Sequence, residues 1–151
     1  MNNSYSKQEV SAAVDYSVSV LSTFKKDKLG ENDCWPFFLH YTSSLLQVTN
    51  LTAHSFEYKS TSELTKQLVS HFGSFELMFA AHGYSIKDST NKVLDGDVSY
   101  WTWGDNTLSI ILAKDNHWWT YTGIHGIKRI KRVSPIEKNL PFLARPIRKE
   151  Q

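Results

Sequence analysis

The sequence predicts an α+β domain in which N-terminal helices pack on an antiparallel sheet of about four strands. Three observations lead there. Up to Gly83, apolar residues recur at spacings of three and four, the period of an amphipathic helix. From Val98 onward the pattern changes to short runs of β-branched and aromatic residues separated by "GDN", "KDN" and "TGIHG", the signature of strands joined by tight turns. No internal repeat, low-complexity tract or linker divides the 151 residues, and helices followed by a meander form one two-layer unit.

The first helix runs from about Gln8 to Lys26, with Val10, Ala13, Val14, Val18 and Leu21 on its apolar side, and ends in "KKDKLG" with Gly30 as the stop. Asn32 or Asp33 caps the second helix, and Pro36 is tolerated in its first turn. Its buried face collects Cys34, Phe37, Phe38, Tyr41, Leu45 and Val48. Ser60 or Thr61 starts a third helical segment with Glu63 in the first turn and a stripe of Leu64, Leu68, Phe72, Phe75 and Phe79. Gly73 is placed to split that segment and Gly83 to end it. The strands follow at Val98 to Trp103, Leu108 to Ala113, Trp118 to Thr122 and Ile127 to Val133.

The domain therefore covers residues 1–133, and residues 134–151 read as an extended basic C-terminal segment that carries three of the four prolines and wraps over the surface. Charge is unevenly divided. Residues 128–151 sum to +6 and the remainder to −4, for a net +2. Such a tail attracts anionic partners, but no aromatic platform or basic Gly-rich repeat accompanies it, so nucleic-acid binding would rest on charge alone.

Several classes are excluded. No stretch approaches the roughly 20 apolar residues of a membrane span, and "MNNSYSKQEV" lacks a signal-peptide profile, so a soluble protein made in the cytoplasm is expected. A single cysteine forbids an internal disulfide or a multi-thiolate metal site, and the six histidines lack paired ligand spacing. Neither a phosphate-cradling Gly-rich loop nor a Ser nucleophile elbow is present. No metal or cofactor is implied.

Cys34 is the candidate nucleophile. In the first turn of a helix it meets the positive end of the macrodipole, which favours thiolate. Packing is the alternative duty, because free cysteine is among the most buried residue types. Nucleophilic chemistry also needs a base. His40 lies six residues on, about 240° around the helix, and faces away. His54, His71 and His82 fall in connections or helices, with solvated or capping roles as the default. Only His117 and His125, in the sheet region, remain as weak candidates, and both sit in turn-like sequence.

"GENDCWPF" resembles the Gly-x-x-Asp-Cys helix start of the papain-like NlpC-type superfamily of cell-wall peptidases, especially its small phage-encoded tail-assembly and tail-tip branch. "LDGDVSYW" is similar to the Gly-Asp-hydrophobic turn that opens that family's sheet, and the strand "TLSIIL" follows at the right distance, so that the match covers roughly residues 25–133. The resemblance implies a papain-like fold, with Cys34 in the nucleophile's place, Asp33 before it, and Gly96 with Asp97 in the turn. It also implies a histidine opening the second strand, where this chain has Asn106 or Thr107; neither accepts a thiol proton near pH 7.

The expectation is thus a phage virion protein of the tail or tail tip with the fold kept and the catalysis lost, joined to other virion proteins. One alternative is an active cysteine peptidase or amidase that cleaves peptidoglycan through a thioester on Cys34. Another is an intracellular phage protein that binds nucleic acid or a host factor. The docking candidates are Trp101, Trp103, Trp118 and Trp119 on the aromatic strands, with Arg145 and Arg148 on the basic tail. Strand alternation puts aromatics on both faces of the sheet, and Trp and Tyr are strong interface anchors.

Overall fold

The computed structural model of the chain describes residues 5–23, 33–47, 58–102, 107–122, 126–132 and 139–148. Among them four helices precede or flank one mixed-order antiparallel sheet: α1 (Lys7–Leu21), α2 (Cys34–Leu46), α3 (Thr61–Phe72), α4 (Phe75–Ala81), β1 (Tyr84–Lys87), β2 (Val98–Thr102), β3 (Leu108–Lys114), β4 (His117–Thr122), β5 (Gly126–Lys131) and β6 (Leu143–Pro146). The α+β class stands. The expected N-cap signals act as written for two helices, Asp33 accepting from the Trp35 N–H and Ser60 from the Glu63 N–H, and Gly73, with φ 98°, separates α3 from α4. In α1, Ser6 and Glu9 form a reciprocal capping box. That helix ends at Leu21; the expected end at Lys26, like Gly30, Asn32 and Val48, lies outside the described residues.

Burial of α2 goes beyond one face. Cys34, Phe37, Phe38, Tyr41 and Leu45 are buried as expected, but so are Trp35, Leu39, Thr42 and Leu46. The helix is central: α1 lies along one side, β3 and β4 lie under it, and His82 with Phe79 closes the Trp35 and Phe38 side. Full burial of a Phe contributes about 1.5–3 kcal/mol, so the Phe37 and Phe38 rings alone rival a large part of a small domain's net stability.

The sheet has six strands in the order β1-β6-β2-β3-β4-β5, not about four. The expected meander is β2 to β5, and its "KDN" turn is a two-residue hairpin with Asp115 and Asn116 at φ 52° and 62°. The two additional strands pair with each other, Tyr84 opposite Pro146 through Lys87 opposite Leu143. Because β6 lies between β1 and β2, the part of the C-terminal segment at Leu143–Pro146 is a strand of the sheet and not the expected surface wrap. Leu143 and Ala144 are fully buried, with Leu140 and Phe142 close to it. "LARP" was illegible as a strand because Pro and Arg flank only two apolar residues, and its place is set by long-range pairing.

The sheet carries an apolar cluster on each face. Leu108, Ile110, Leu112 and Tyr121 face the helices, with Tyr100 stacked on Phe75 at 4.1 Å. Ile111, Ala113, Trp118 and Leu143 face the other way and meet Val93 and Leu140. The Gly-Asp turn locks the two layers. Gly96 (φ 98°) donates to the Ala113 carbonyl, and a side chain there would press Val10 at 3.1 Å. Asp97, fully buried, accepts the Leu94 N–H and two bonds from the Arg145 guanidinium, at 2.9 and 2.8 Å.

Candidate functional site

Cys34 opens α2 where that helix meets the first residue of β3. Its side chain is 3% exposed, and the thiol donates to the Leu108 carbonyl at 3.7 Å. Two other contacts close the same corner. The Leu108 N–H donates to Thr61 Oγ1 at 3.0 Å, which ties the start of α3 to the start of β3. The Tyr58 hydroxyl bonds both carboxylate oxygens of Asp33 at 2.7 and 2.6 Å, beside the capping bond from Trp35 N–H.

The electrostatics follow from burial. Desolvation, and next the adjacent Asp33 charge, push the Cys34 thiol up to about 12 from the ordinary 9.0; backbone hydrogen bonds pull in the opposite direction but do not prevail. The expected thiolate-favouring effect of the helix start is therefore overturned, since the dipole contributes about 1 kcal/mol while removal from water costs several. At pH 7 the Cys34 sulfur is therefore held as the thiol.

No described imidazole reaches the sulfur. His117 pairs with Lys114 at the far end of β3, six residues beyond Leu108, which is roughly 20 Å along the strand. Its Nδ1 lies 2.8 Å from the Asp115 carbonyl, within the hairpin. His40 faces Tyr16 of α1 at a ring separation of 6.4 Å, as its position around α2 requires, and burial lowers its pKa. His82 is the C-cap of α4, with Nδ1 2.7 Å from the Met78 carbonyl, and its ring contacts Trp35, Phe38 and Phe72. It is buried, not solvated. His54 and His125 lie outside the described residues. Among the described residues no three His, Cys, Asp or Glu side chains converge as a metal site would require.

The docking candidates divide. Trp118 is 1% exposed and belongs to the far-face cluster, so it is a core residue. Arg145 is engaged with Asp97 and with the Lys92 carbonyl, and the hydrogen bond to the Asp97 carboxylate, helped by its charge, raises the guanidinium pKa against the opposing pull of burial. Arg148 bonds Glu9 and lies over the Tyr5 ring at 4.4 Å, which fastens the C-terminal segment to α1. Both arginines hold the chain to itself. Trp101 and Trp119 are half-buried. The Trp119 indole donates to the Lys114 carbonyl and has the Lys114 ammonium 4.1 Å and the Arg129 guanidinium 5.2 Å from its ring. Trp103 lies outside the described residues.

The sequence missed Tyr58 and Thr61 as partners of this corner. Thr61 was visible only as a helix cap, and Tyr58 had no local signal, because both act across long sequence separations. Comparisons with protein-family models, curated proteins and solved structures give no match to the chain.

Proposed function

We propose that this chain is a non-catalytic assembly component of a phage tail or tail tip, a papain-like, NlpC-like domain whose cysteine has become a packing group. One observation carries the loss of catalysis: the Cys34 sulfur is sealed between α2 and β3, protonated, and bonded to a backbone carbonyl. A thiol nucleophile requires access and a neighbouring base. Here the strand that would present the base starts at Leu108, one residue after Thr107, and its backbone occupies the thiol. The tail setting is supported by the sequence resemblance in "GENDCWPF" and "LDGDVSYW", and docking to neighbouring virion proteins follows from that setting.

The test is direct. Purified chain is incubated with peptidoglycan, and clearing is compared with that of Cys34→Ala. No clearing by either is expected. Clearing by the native chain that disappears in Cys34→Ala would refute the non-catalytic reading. The assembly role is tested separately by co-purification with virions, and absence from mature particles would count against it.

A further inference from the structure

The outer edge of β5 is the feature that the proposed function leaves unused. Among the described residues β5 pairs on one side only, with β4. The Arg132 N–H donates to the Asn116 carbonyl, which fixes the phase of the ladder: residues 126, 128, 130 and 132 turn their backbone groups toward β4. Ile127, Arg129 and Lys131 therefore direct their N–H and C=O groups outward, one donor and one acceptor each. Residues 126–132 carry four Lys or Arg and no acidic residue, and Lys128, Arg129 and Lys131 are exposed.

We propose that this edge receives an extended acidic segment of a partner protein as an added strand. The open ladder selects an extended polypeptide, because only another backbone supplies matching donors and acceptors at strand spacing. The charges select its sign. Acidic side chains on an added strand come within about 5.5 Å of the facing positions, where Arg129 and Lys131 lie together on one face of the strand. A second copy of this chain is the wrong occupant, since pairing β5 with β5 sets Lys and Arg against Lys and Arg. Nucleic acid fits less well, because a phosphodiester chain has no N–H groups for the outward carbonyls, and the half-buried Trp119 ring already carries two cations. The inference stands on the strand edge and its charge, so it holds or falls independently of whether Cys34 is inert.

The test uses the full chain and a blocked peptide of about seven residues alternating Glu and Thr. Its comparators are the same peptide N-methylated on alternate amides, a Lys–Thr peptide and an oligothymidylate of similar length. Binding of the acidic peptide is expected, with slowed amide exchange at Arg129 and Lys131. N-methylation should weaken it at least about tenfold through the lost backbone bonds. The double variant Arg129→Glu with Lys131→Glu should do the same, as should raising salt from about 50 to about 500 mM. Equal binding of the N-methylated peptide, tighter binding of the oligothymidylate, or no binding at about 1 mM peptide would each overturn the proposal. The N-methylated peptide decides the matter even if the charge-reversed variant misfolds.

Discussion

Replacing Cys34 by Ala separates a buried thiol from a reactive one by its pH dependence. In the folded chain the thiol ionises only near 12, against an ordinary 9.0. A group whose folded pKa is raised stabilises the fold fully below its unfolded pKa, and that contribution is lost as pH rises from the unfolded toward the folded value. The window is therefore about pH 9 to 12. At pH 7 both states are protonated, and the substitution costs only the packing and hydrogen bond of one sulfur, about 1–2 kcal/mol. By pH 11 the unfolded native chain gains roughly 2–3 kcal/mol from ionising its thiol, which the folded chain cannot do. Cys34→Ala has no such loss. The native chain should thus be the more stable at pH 7 and lose its advantage, or fall below the variant, near pH 11. Tyr41 and Tyr84, also raised by burial, destabilise both chains equally at high pH and cancel in the comparison. Urea unfolding at pH 7, 9, 10 and 11 measures this, alongside the rate of a disulfide reagent with native Cys34. A stability difference that stays flat across the series, or reaction at pH 8 at the rate of a free thiol, would refute the sealed-thiol reasoning.

Other perturbations test the remaining framework. Deleting residues 139–151 removes Phe142 and Leu143 from the core together with Leu140. At about 1.5–3 kcal/mol each, that approaches a domain's whole stability, so circular dichroism should show an unfolded chain. Arg145→Ala leaves the buried Asp97 carboxylate without its counter-charge. A destabilisation near the lower end of about 3–5 kcal/mol is expected, because the Arg145 side chain is 23% exposed, and denaturant titration measures it. Tyr58→Phe removes the hydroxyl that bonds both oxygens of Asp33. It should cost about 1–3 kcal/mol and raise amide exchange in the first turn of α2.

The helices and the central meander were legible because each is announced locally. Ser60 and Asp33 cap, Gly73 breaks, and the apolar spacing of Leu64, Leu68, Phe75 and Phe79 reports the buried side. β1 and β6 were not legible, since "YSIK" and "LARP" are four residues each and acquire strand geometry by pairing across some sixty positions of sequence. The same limit explains Arg145 and Arg148. A basic, Pro-containing tail suggests a solvated segment, yet Asp97 and Glu9 draw both guanidinium groups inward. Strand alternation placed Trp118 and Trp119 on opposite faces, but which face was covered depended on Val93 and Leu140, which carry no local sign of it.

Access, ionisation and a base are three separate requirements of a thiol nucleophile, and at Cys34 each fails for its own reason. Tyr58 and Thr61 close the corner by anchoring Asp33 and Leu108. Burial, with Asp33 beside the sulfur, holds the proton. The start of β3 gives the thiol a backbone carbonyl as its hydrogen-bond partner, and a carbonyl is no base for a thiol proton. The first two failures are coupled, because the contacts that exclude water also raise the cost of a thiolate. Supplying an imidazole at Thr107 would therefore address only the third. The thiol would remain buried and protonated, and the contacts around it are structural: Cys34 ties the start of α2 to β3, Thr61 ties the start of α3 to β3, and Tyr58 holds the Asp33 cap. Stability of the fold and reactivity of its cysteine are thus in opposition at this one corner.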